Sequence, residues 1–288
     1  MFSKAVEQVS GFVRPVHAIR RRYGDNAILP DIGTLFFVNE EGYAITSKRT
    51  ANFILAGEKL EQQYHTFLEQ RSRLLHDESF RFTSKRLEND FKYTRDSIIQ
   101  IRSAFMGCAP IPLRVECRMH PKYDLAILRF LSDKGYLYQG HAVFAKELPK
   151  QGQTLCRIGF PIPEFQNFAY NEQKDCPEFT GSGKSNAALF VQDGMVTRFL
   201  ADAERTFAVE LTTATMPGMN GGPLFDPNGR VYGMQFGMGF LYMGNDVVIS
   251  KQGDEKFTDH GSLRLGLCIH PDVIKDFLRA QNVRFYEE

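Results

Sequence analysis

Hydrophobic and polar positions alternate in short runs over most of the chain. Residues 34–46 place two apolar runs on either side of the tetrapeptide NEEG (39–42), which predicts a strand, a short glycine-containing turn and a second strand. Beyond Gly107, short apolar runs return between Gly and Pro residues, at 114–119, 124–130, 154–161, 187–200, 207–213, 223–226 and 230–237. Many short strands at close intervals predict an all-β barrel or sandwich.

One long segment departs from this alternation. From Glu58 to Met106 the chain has no Gly and no Pro, its charges alternate in sign, and its apolar residues recur at spacings of three and four. This pattern predicts an inserted helical hairpin over about 58–106, with a polar break around 77–84. Near the C-terminus, Pro271 precedes apolar positions at helical spacing and predicts a final helix.

Composition narrows the classes of function. The 288 residues are 43% hydrophobic and 24% charged, with a formal net charge of +1. These values describe a globular protein with ample core and no overall attraction for nucleic acid, so we expect no nucleic-acid partner. No apolar run reaches the roughly 18 residues of a membrane span, and the first residues lack a signal-peptide core, so we expect no membrane partner and a cytoplasmic location.

The cysteines are scattered along the chain, at Cys108, Cys117, Cys156, Cys176 and Cys268. Their odd number and wide spacing favour free buried thiols over a disulfide framework. Because no pair has the spacing of a metal site, we expect no metal and no cofactor.

Three blocks occur in the order of the catalytic blocks of trypsin-like serine proteases, and they resemble the HtrA-like branch most closely. They are residues 33–50 (GTLFFVNEEGYAITSKRT), 123–130 (YDLAILRF) and 217–237 (PGMNGGPLFDPNGRVYGMQFG). The resemblance implies a chymotrypsin-like double β-barrel with an inserted helical hairpin and a C-terminal helix. The implied domains are an N-terminal barrel over 1–137, which includes the insertion, and a C-terminal barrel plus helix over 138–288.

The resemblance also implies that two of the three catalytic positions are changed. Arg49, three residues after Thr46, stands at the position of the histidine base; Asp124 keeps the acid; and Asn220 stands at the position of the serine. An amide is not a nucleophile, and a guanidinium with a pKa above about 12 cannot accept a proton near neutrality. We therefore predict no intact catalytic residue. We also predict an ion pair between Arg49 and Asp124, whose one-sided loss would cost about 3 to 5 kcal/mol if it is buried.

Two binding features would lie beside Asn220. The backbone N–H groups of Gly218, Met219 and Asn220 would form a nest that resembles an oxyanion hole. Gly221 and Gly222 can equally serve turn dihedral angles and close packing. The walls of the specificity pocket would be Thr213, Ala214, Thr215, Gln235, Phe236 and Gly237. None of these side chains is charged, so we expect a neutral pocket.

These residues favour a catalytically inactive trypsin-like protease homologue, a pseudoprotease, acting as a protein-binding, scaffold or regulatory module. Its partner would be a protein or peptide, and hairpin 58–106 is the candidate contact surface unless its apolar face packs on its own barrel. The same hairpin offers a route to self-association.

The alternative is an active serine-type endopeptidase with a displaced nucleophile. Its candidate hydroxyls are Ser47, Thr213, Thr215 and Ser262, none of which has an identified base. No histidine stands at the position of the catalytic base, and the histidines elsewhere are expected to be structural or exposed. Those considered as bases are His65, His76, His120, His260 and His270.

Overall fold

The structure, a computed structural model, describes residues 2–74, 80–111, 113–250 and 256–288, and the side chains of 245–250 and 256–260 are outside this description. His76, the side chain of His260 and residues 77–79 of the predicted break between helices therefore lie outside the described residues.

The first sheet contains six antiparallel strands. They are β1 (Val13–Arg22), β2 (Ile28–Phe37), β3 (Tyr43–Thr46), β4 (Ile98–Phe105), β5 (Arg114–Met119) and β6 (Ala126–Leu131). Their order is β4-β1-β2-β3-β6-β5. Strand β2 is buried at every position from Ile32 to its end, because both of its faces are covered by protein. The predicted strand, turn and strand over 34–46 are confirmed as β2 and β3.

The second sheet closes on itself. Its strands are β8 (Thr154–Gly159), β11 (Phe190–Ala201), β12 (Thr206–Leu211), β13 (Pro223–Phe225), β14 (Arg230–Ser250) and β15 (Lys256–Ile269). They run in the order β13-β8-β11-β12-β15-β14, and a further pairing of β13 with β14 completes a six-stranded barrel. Counted in chain order, the six strands of each sheet have the same arrangement, with strand 4 beside strand 1. The expected mostly-β, chymotrypsin-like double-barrel fold is confirmed.

Three further pieces complete the β structure. Strands β7 (Val143–Phe144) and β16 (Tyr286–Glu287) add parallel pairings beyond β14. Strands β9 (Phe168–Asn171) and β10 (Cys176–Phe179) form a separate hairpin. The predicted boundary at 137/138 stays a prediction; it falls between the end of β6 and the start of β7.

The helices are α1 (Ser3–Ser10), α2 (Lys48–Ser72), α3 (Phe80–Asp90) and α4 (Pro271–Ala280). Helix α2 begins at Lys48 rather than near Glu58, because the Ser47 hydroxyl caps it by accepting the Thr50 N–H at 3.3 Å.

The predicted helical hairpin extends too far towards the C-terminus. Residues from Ile98 form β4 instead, because the ladder of β4 with β1 overrides the helical spacing of the apolar residues. The C-terminal helix is confirmed as α4. No helix in the described ranges is long and apolar enough to cross a membrane.

The apolar face of the helical insertion packs on its own barrel. Tyr64 and Phe67 of α2 and Leu87 of α3 share a buried cluster with Tyr93 and Ile99. This part of the insertion is therefore covered, whereas Leu55 of α2 and Phe82 of α3 remain exposed.

A polar cluster ties this insertion to the β9–β10 hairpin. Asp175, in a left-handed backbone conformation with φ of 50°, accepts hydrogen bonds at its carboxylate from Arg21 (2.7 Å), Tyr64 (2.9 Å) and Tyr170. Its backbone carbonyl accepts from Arg21 (3.0 Å) and from Gln100 (2.9 Å). Asp175 thus joins α2 and β1 through its carboxylate, and β1 and β4 through its backbone carbonyl.

Candidate functional site

The turn that carries Asn220 lies against strand β2, where the two sheets meet. It is a short 3₁₀ turn, Pro217–Met219, and Asn220 follows it directly. Thr34 of β2 is fully buried and donates from its hydroxyl to the Gly218 carbonyl (2.8 Å) and from its N–H to the Asn220 carbonyl (3.2 Å). Its hydroxyl also accepts the Phe160 N–H at 3.0 Å.

Thr34 therefore fixes the turn of the third block to the strand of the first. We did not single it out from the sequence. The available signal was a threonine at the start of an otherwise apolar run, TLFFV.

The glycines of the third block are required by close backbone approach. Gly221 has φ of 95°, and a Cβ atom there would lie well under 3.0 Å from the Thr34 carbonyl oxygen. A Cβ atom on Gly222 would meet the Ile158 carbonyl oxygen equally closely, and one on Gly218 would meet the Phe160 carbonyl oxygen. This geometry agrees with the packing interpretation of Gly221 and Gly222.

Two of the three N–H groups of the predicted nest at Gly218, Met219 and Asn220 are occupied within the turn. The Met219 N–H donates to the Met216 carbonyl at 3.0 Å, and the Asn220 N–H donates to the Pro217 carbonyl at 3.2 Å. The 3₁₀ turn consumes both donors, so they do not converge on a ligand position.

Asp124 and Arg49 lie at the N-terminus of α2 but do not pair with each other. The Asp124 carboxylate accepts the Lys48 N–H at 2.6 Å, as suits an anion at the positive end of a helix. Arg49, whose side chain is 53% exposed, reaches instead to Asp31, with its Nη2 at 3.5 Å from the carboxylate, and Arg20 binds the same oxygen at 2.9 Å. The predicted ion pair is therefore wrong, because backbone donors meet the needs of Asp124.

The environment of Asp124 changes its acidity. Burial raises the pKa of this carboxyl above its ordinary value, although hydrogen bonds from the backbone N–H groups of Lys48 and Arg49 oppose the shift. Desolvation is the larger effect. The retained acid acts here as a partner of a helix end, and no described histidine is hydrogen-bonded to it.

The predicted pocket residues do come together, around a residue that we did not predict. The Arg157 guanidinium, from β8, is fully buried and donates through Nη2 to the Thr213 hydroxyl (2.6 Å), the Thr213 carbonyl (3.1 Å) and the Ala214 carbonyl (3.4 Å). The Thr215 hydroxyl donates to the Gly237 carbonyl at 3.1 Å.

The remaining predicted wall residues, Gln235 and Phe236, contact neighbouring parts of the protein. Gln235 is fully buried and donates through Nε2 to the Met216 carbonyl at 3.3 Å, and the half-buried Phe236 packs on the main core cluster. The neutral pocket stays a prediction, because the predicted wall side chains are uncharged and the Arg157 guanidinium is buried behind them. The sequence signal was an arginine within the apolar run TLCRIGF.

The candidate displaced nucleophiles are committed to backbone groups or exposed. The Thr213 hydroxyl donates to the Asp193 carbonyl at 2.6 Å, Thr215 and Ser47 are bonded as described, and Ser262 is exposed. Among the described side chains, none of these hydroxyls is hydrogen-bonded to a histidine.

The histidines considered as bases have other positions. The ring of His120 accepts the backbone N–H groups of Lys122 (3.1 Å) and Tyr123 (3.0 Å), His270 caps α4, and His65 is exposed. Within the described ranges, no group of three or more His, Cys, Asp or Glu side chains is arranged to hold a metal ion.

The family model of the trypsin-like peptidase domain matches residues 33–234, well over half of the chain and all three catalytic positions. The chain belongs to this family. A solved structure of an HtrA-type protease with a tripeptide is similar at 14% identity and a TM-score of 0.48, over 97% of this chain. The present chain covers 63% of the length of that chain. No curated protein matches.

In this trypsin-like peptidase domain, the three catalytic positions thus have separate surroundings. Asn220 ends a 3₁₀ turn that is held by Thr34, Asp124 binds the first turn of α2, and Arg49 extends towards Asp31. At the serine position, Asn220 offers no hydroxyl.

Proposed function

We propose that this trypsin-like peptidase domain is a pseudoprotease, which binds a protein or peptide partner in its cleft without cutting it and serves as a scaffold or regulator. The observation that carries the proposal is that neither catalytic position holds a suitable side chain. Asn220 places an amide at the serine position, and Arg49, at the base position, extends towards Asp31. Acyl transfer in this fold needs a hydroxyl, an imidazole that takes its proton and an acid that orients the imidazole.

Two further features support the proposal. Of the three N–H groups that would stabilise a developing oxyanion, those of Met219 and Asn220 are hydrogen-bonded within the 3₁₀ turn. The candidate hydroxyls that lie nearest the pocket, on Thr213 and Thr215, already donate to carbonyl oxygens. The hydrogen bonds of the turn would have to break before its N–H groups could bind an oxyanion, and those of Thr213 or Thr215 before either hydroxyl could act as a nucleophile.

The cleft is a better candidate for the partner surface than the helical hairpin. The cluster of Tyr64, Phe67 and Leu87 is buried against the barrel, so only the separate apolar side chains of Leu55 and Phe82 remain exposed on α2 and α3, which weakens the case for self-association there. The predicted cytoplasmic location is part of the proposal, and the five free cysteines agree with a reducing compartment.

The test uses the purified full chain with a fluorophosphonate probe and a broad peptide library, beside active trypsin and the heat-unfolded chain as controls. We expect trypsin to be labelled and the native chain to remain at the level of the unfolded control, with no cleaved peptide. Labelling or turnover by the native chain would overturn the proposal.

A double variant, Arg49→His with Asn220→Ser, separates the two structural reasons for inactivity. Labelling of this variant alone would show that the two side chains account for the loss of activity. If the folded variant also stays unlabelled, further features prevent activity, such as the binding of Asp124 to the helix end and the occupied N–H groups of Met219 and Asn220. Substitution of Thr213 or Thr215 by valine would locate the nucleophile if the native chain reacted.

A further inference from the structure

Two strands of the second barrel continue beyond it as a two-stranded ribbon. Strands β14 and β15 are 21 and 14 residues long, whereas β8 and β12 of the same barrel have 6 residues each. Strand β13 pairs with residues 231–234 of β14, and β12 pairs with residues 266–269 of β15. Outside these ranges, towards the hairpin end, β14 and β15 pair only with each other among the described strands. We call residues 238–243 and 261–265 the arm.

The arm carries apolar side chains on both of its faces. Leu241 and Leu263 lie directly opposite each other on one face, where they continue a row that includes the buried Leu265. Phe240 and Tyr242 alternate with Leu241 along β14, so they lie on the other face. A ribbon with one face in water normally alternates apolar and polar residues. The loss of that alternation here favours a state of the protein in which both faces are covered.

In the single chain these side chains are exposed to solvent. The exposed fraction lies between 43% and 63% for Phe240, Leu241, Tyr242, Met243 and Leu263. Together they present on the order of 500 Å² of mainly apolar surface, a size that marks interaction sites on protein surfaces. A two-stranded ribbon is also only marginally stable in water by itself. A surface that covers these side chains would therefore stabilise the arm.

The edges of the arm are open as well. Among the described strands, none pairs with the outer edge of β14 or of β15 along the arm. Proteins usually protect such edges with charged side chains, but Arg264 is the only charged residue of the arm. Two copies of one open strand can pair antiparallel about a twofold axis, and a single charge in each copy opposes this little.

We propose that the arm is the interface through which two copies of this chain form a dimer. A second copy matches the surface because it supplies the same leucine row, the same aromatic face and the same open edges. Burial of both arms removes about 1,000 Å² from water, which reaches the lower limit for a specific protein–protein interface. The dimer is therefore reversible, with a dissociation constant in the micromolar range.

The arm is continuous with the predicted pocket. Strand β14 carries the wall residues Gln235, Phe236 and Gly237 directly before the arm begins. A second copy on the arm therefore contacts the strand that forms one wall of the pocket. The inference goes beyond the proposed function and does not depend on it.

The test measures the mass of the full chain in solution by sedimentation equilibrium, from about 1 µM to about 100 µM, a range suited to an interface of this size. We expect the average mass to rise from that of one chain towards that of two. The arm variant is Leu241→Lys with Leu263→Glu, which removes the leucine row. The new side chains are opposite charges at directly paired positions, so the ribbon keeps a favourable cross-strand contact.

The matched control makes the same two substitutions outside the arm. Leu137→Lys with Leu148→Glu changes leucines that are 54% and 47% exposed, close to the exposure of the arm leucines. We expect the arm variant to raise the dissociation constant at least tenfold and the control to leave it unchanged. Thermal unfolding by circular dichroism confirms that both variants are folded.

Hydrogen exchange of the native chain locates the contact without any substitution. The backbone N–H groups of the arm should exchange more slowly at high protein concentration than at low concentration, because the dimer covers them. The exposed loop at 133–135 should exchange at the same rate at both concentrations.

Three results would overturn the inference. A monomer at every concentration would exclude a second copy as the occupant of the arm. A dimer that withstands the arm variant, or whose arm exchanges equally fast at both concentrations, would place the interface elsewhere. Equal weakening by the arm variant and the control would show that the arm has no special role. None of these results concerns acyl transfer at Asn220, so the pseudoprotease proposal is tested separately.

Discussion

Substitution of Gly221 by alanine tests whether the third block is held by close packing. Gly221 has φ of 95°, in the left-handed region where an L side chain costs about 1–2 kcal/mol. The added Cβ would also press on the Thr34 carbonyl oxygen and the Thr46 hydroxyl, and such overpacking costs about 1–3 kcal/mol. The sum predicts a loss of about 2–5 kcal/mol in the free energy of unfolding.

Gly135→Ala is the matched control for the backbone term. Gly135 has φ of 77° but no atom within 4 Å of its Cβ position, so its substitution should cost only the conformational term. The excess loss at Gly221 should therefore be about 1–3 kcal/mol. At about 2–4 °C per kcal/mol for a protein of this class, Gly221→Ala should melt at least about 2 °C below Gly135→Ala.

The assay is thermal unfolding by far-ultraviolet circular dichroism, which suits a chain without tryptophan. Equal melting temperatures for the two variants would refute the reasoning. In that case the contact between the Gly221 turn and strand β2 would not constrain the site, and a ligand role would be the better explanation of this glycine.

Three more predictions concern charges and thiols. Burial favours a higher pKa for Asp175, but hydrogen bonds from Tyr170 and Tyr64, together with Arg21, outweigh it and lower the pKa. The carboxylate therefore adds stability above the pKa of the unfolded chain, which is lost as the pH falls through the lower folded value. Asp175→Asn, which still tolerates positive φ, should cost about 1 kcal/mol at pH 7 and weaken the acid dependence of urea unfolding, whereas exposed Asp96→Asn should not. Arg49→Ala should cost less than about 1 kcal/mol in the same assay because its ion pair is half-exposed, and a loss of several kcal/mol would restore the buried-pair hypothesis. Burial raises the pKa of Cys108 and Cys268 to about 12, so a chromogenic disulfide reagent at pH 8 should react slowly with the native chain and count all five thiols only after unfolding; rapid native reaction at either position would contradict this.

The helical insertion shows the limit of pattern reading. The spacing of apolar residues correctly indicated helices in the region of α2 and α3, because an amphipathic helix must repeat near every 3.6 residues. Ile98 and Ile101 continued that spacing, yet they lie in β4. Their state depends on the ladder with β1, about 80 residues earlier in the chain, which no local pattern reveals.

The pocket shows the same limit in chemical terms. Its walls were predicted from two segments that flank Asn220, and those residues do meet. The guanidinium that binds the wall residues Thr213 and Ala214 comes from β8, more than 50 residues before them in the chain. The sequence shows an arginine within an apolar run, but its burial and the direction of its side chain follow only from the structure.

The sequence by itself determined the family, the order of the two barrels and the identity of the groups at the catalytic positions, because these depend on local motifs and residue chemistry. Only the tertiary structure decided that Arg49 pairs with Asp31, that Asp124 binds a helix end, that the 3₁₀ turn occupies its own N–H groups and that Arg157 lies against the pocket. Hydrogen bonds and ion pairs act over a few ångströms, so they follow from the path of the folded backbone and the choice of rotamer, and these are set by contacts between segments far apart in the chain.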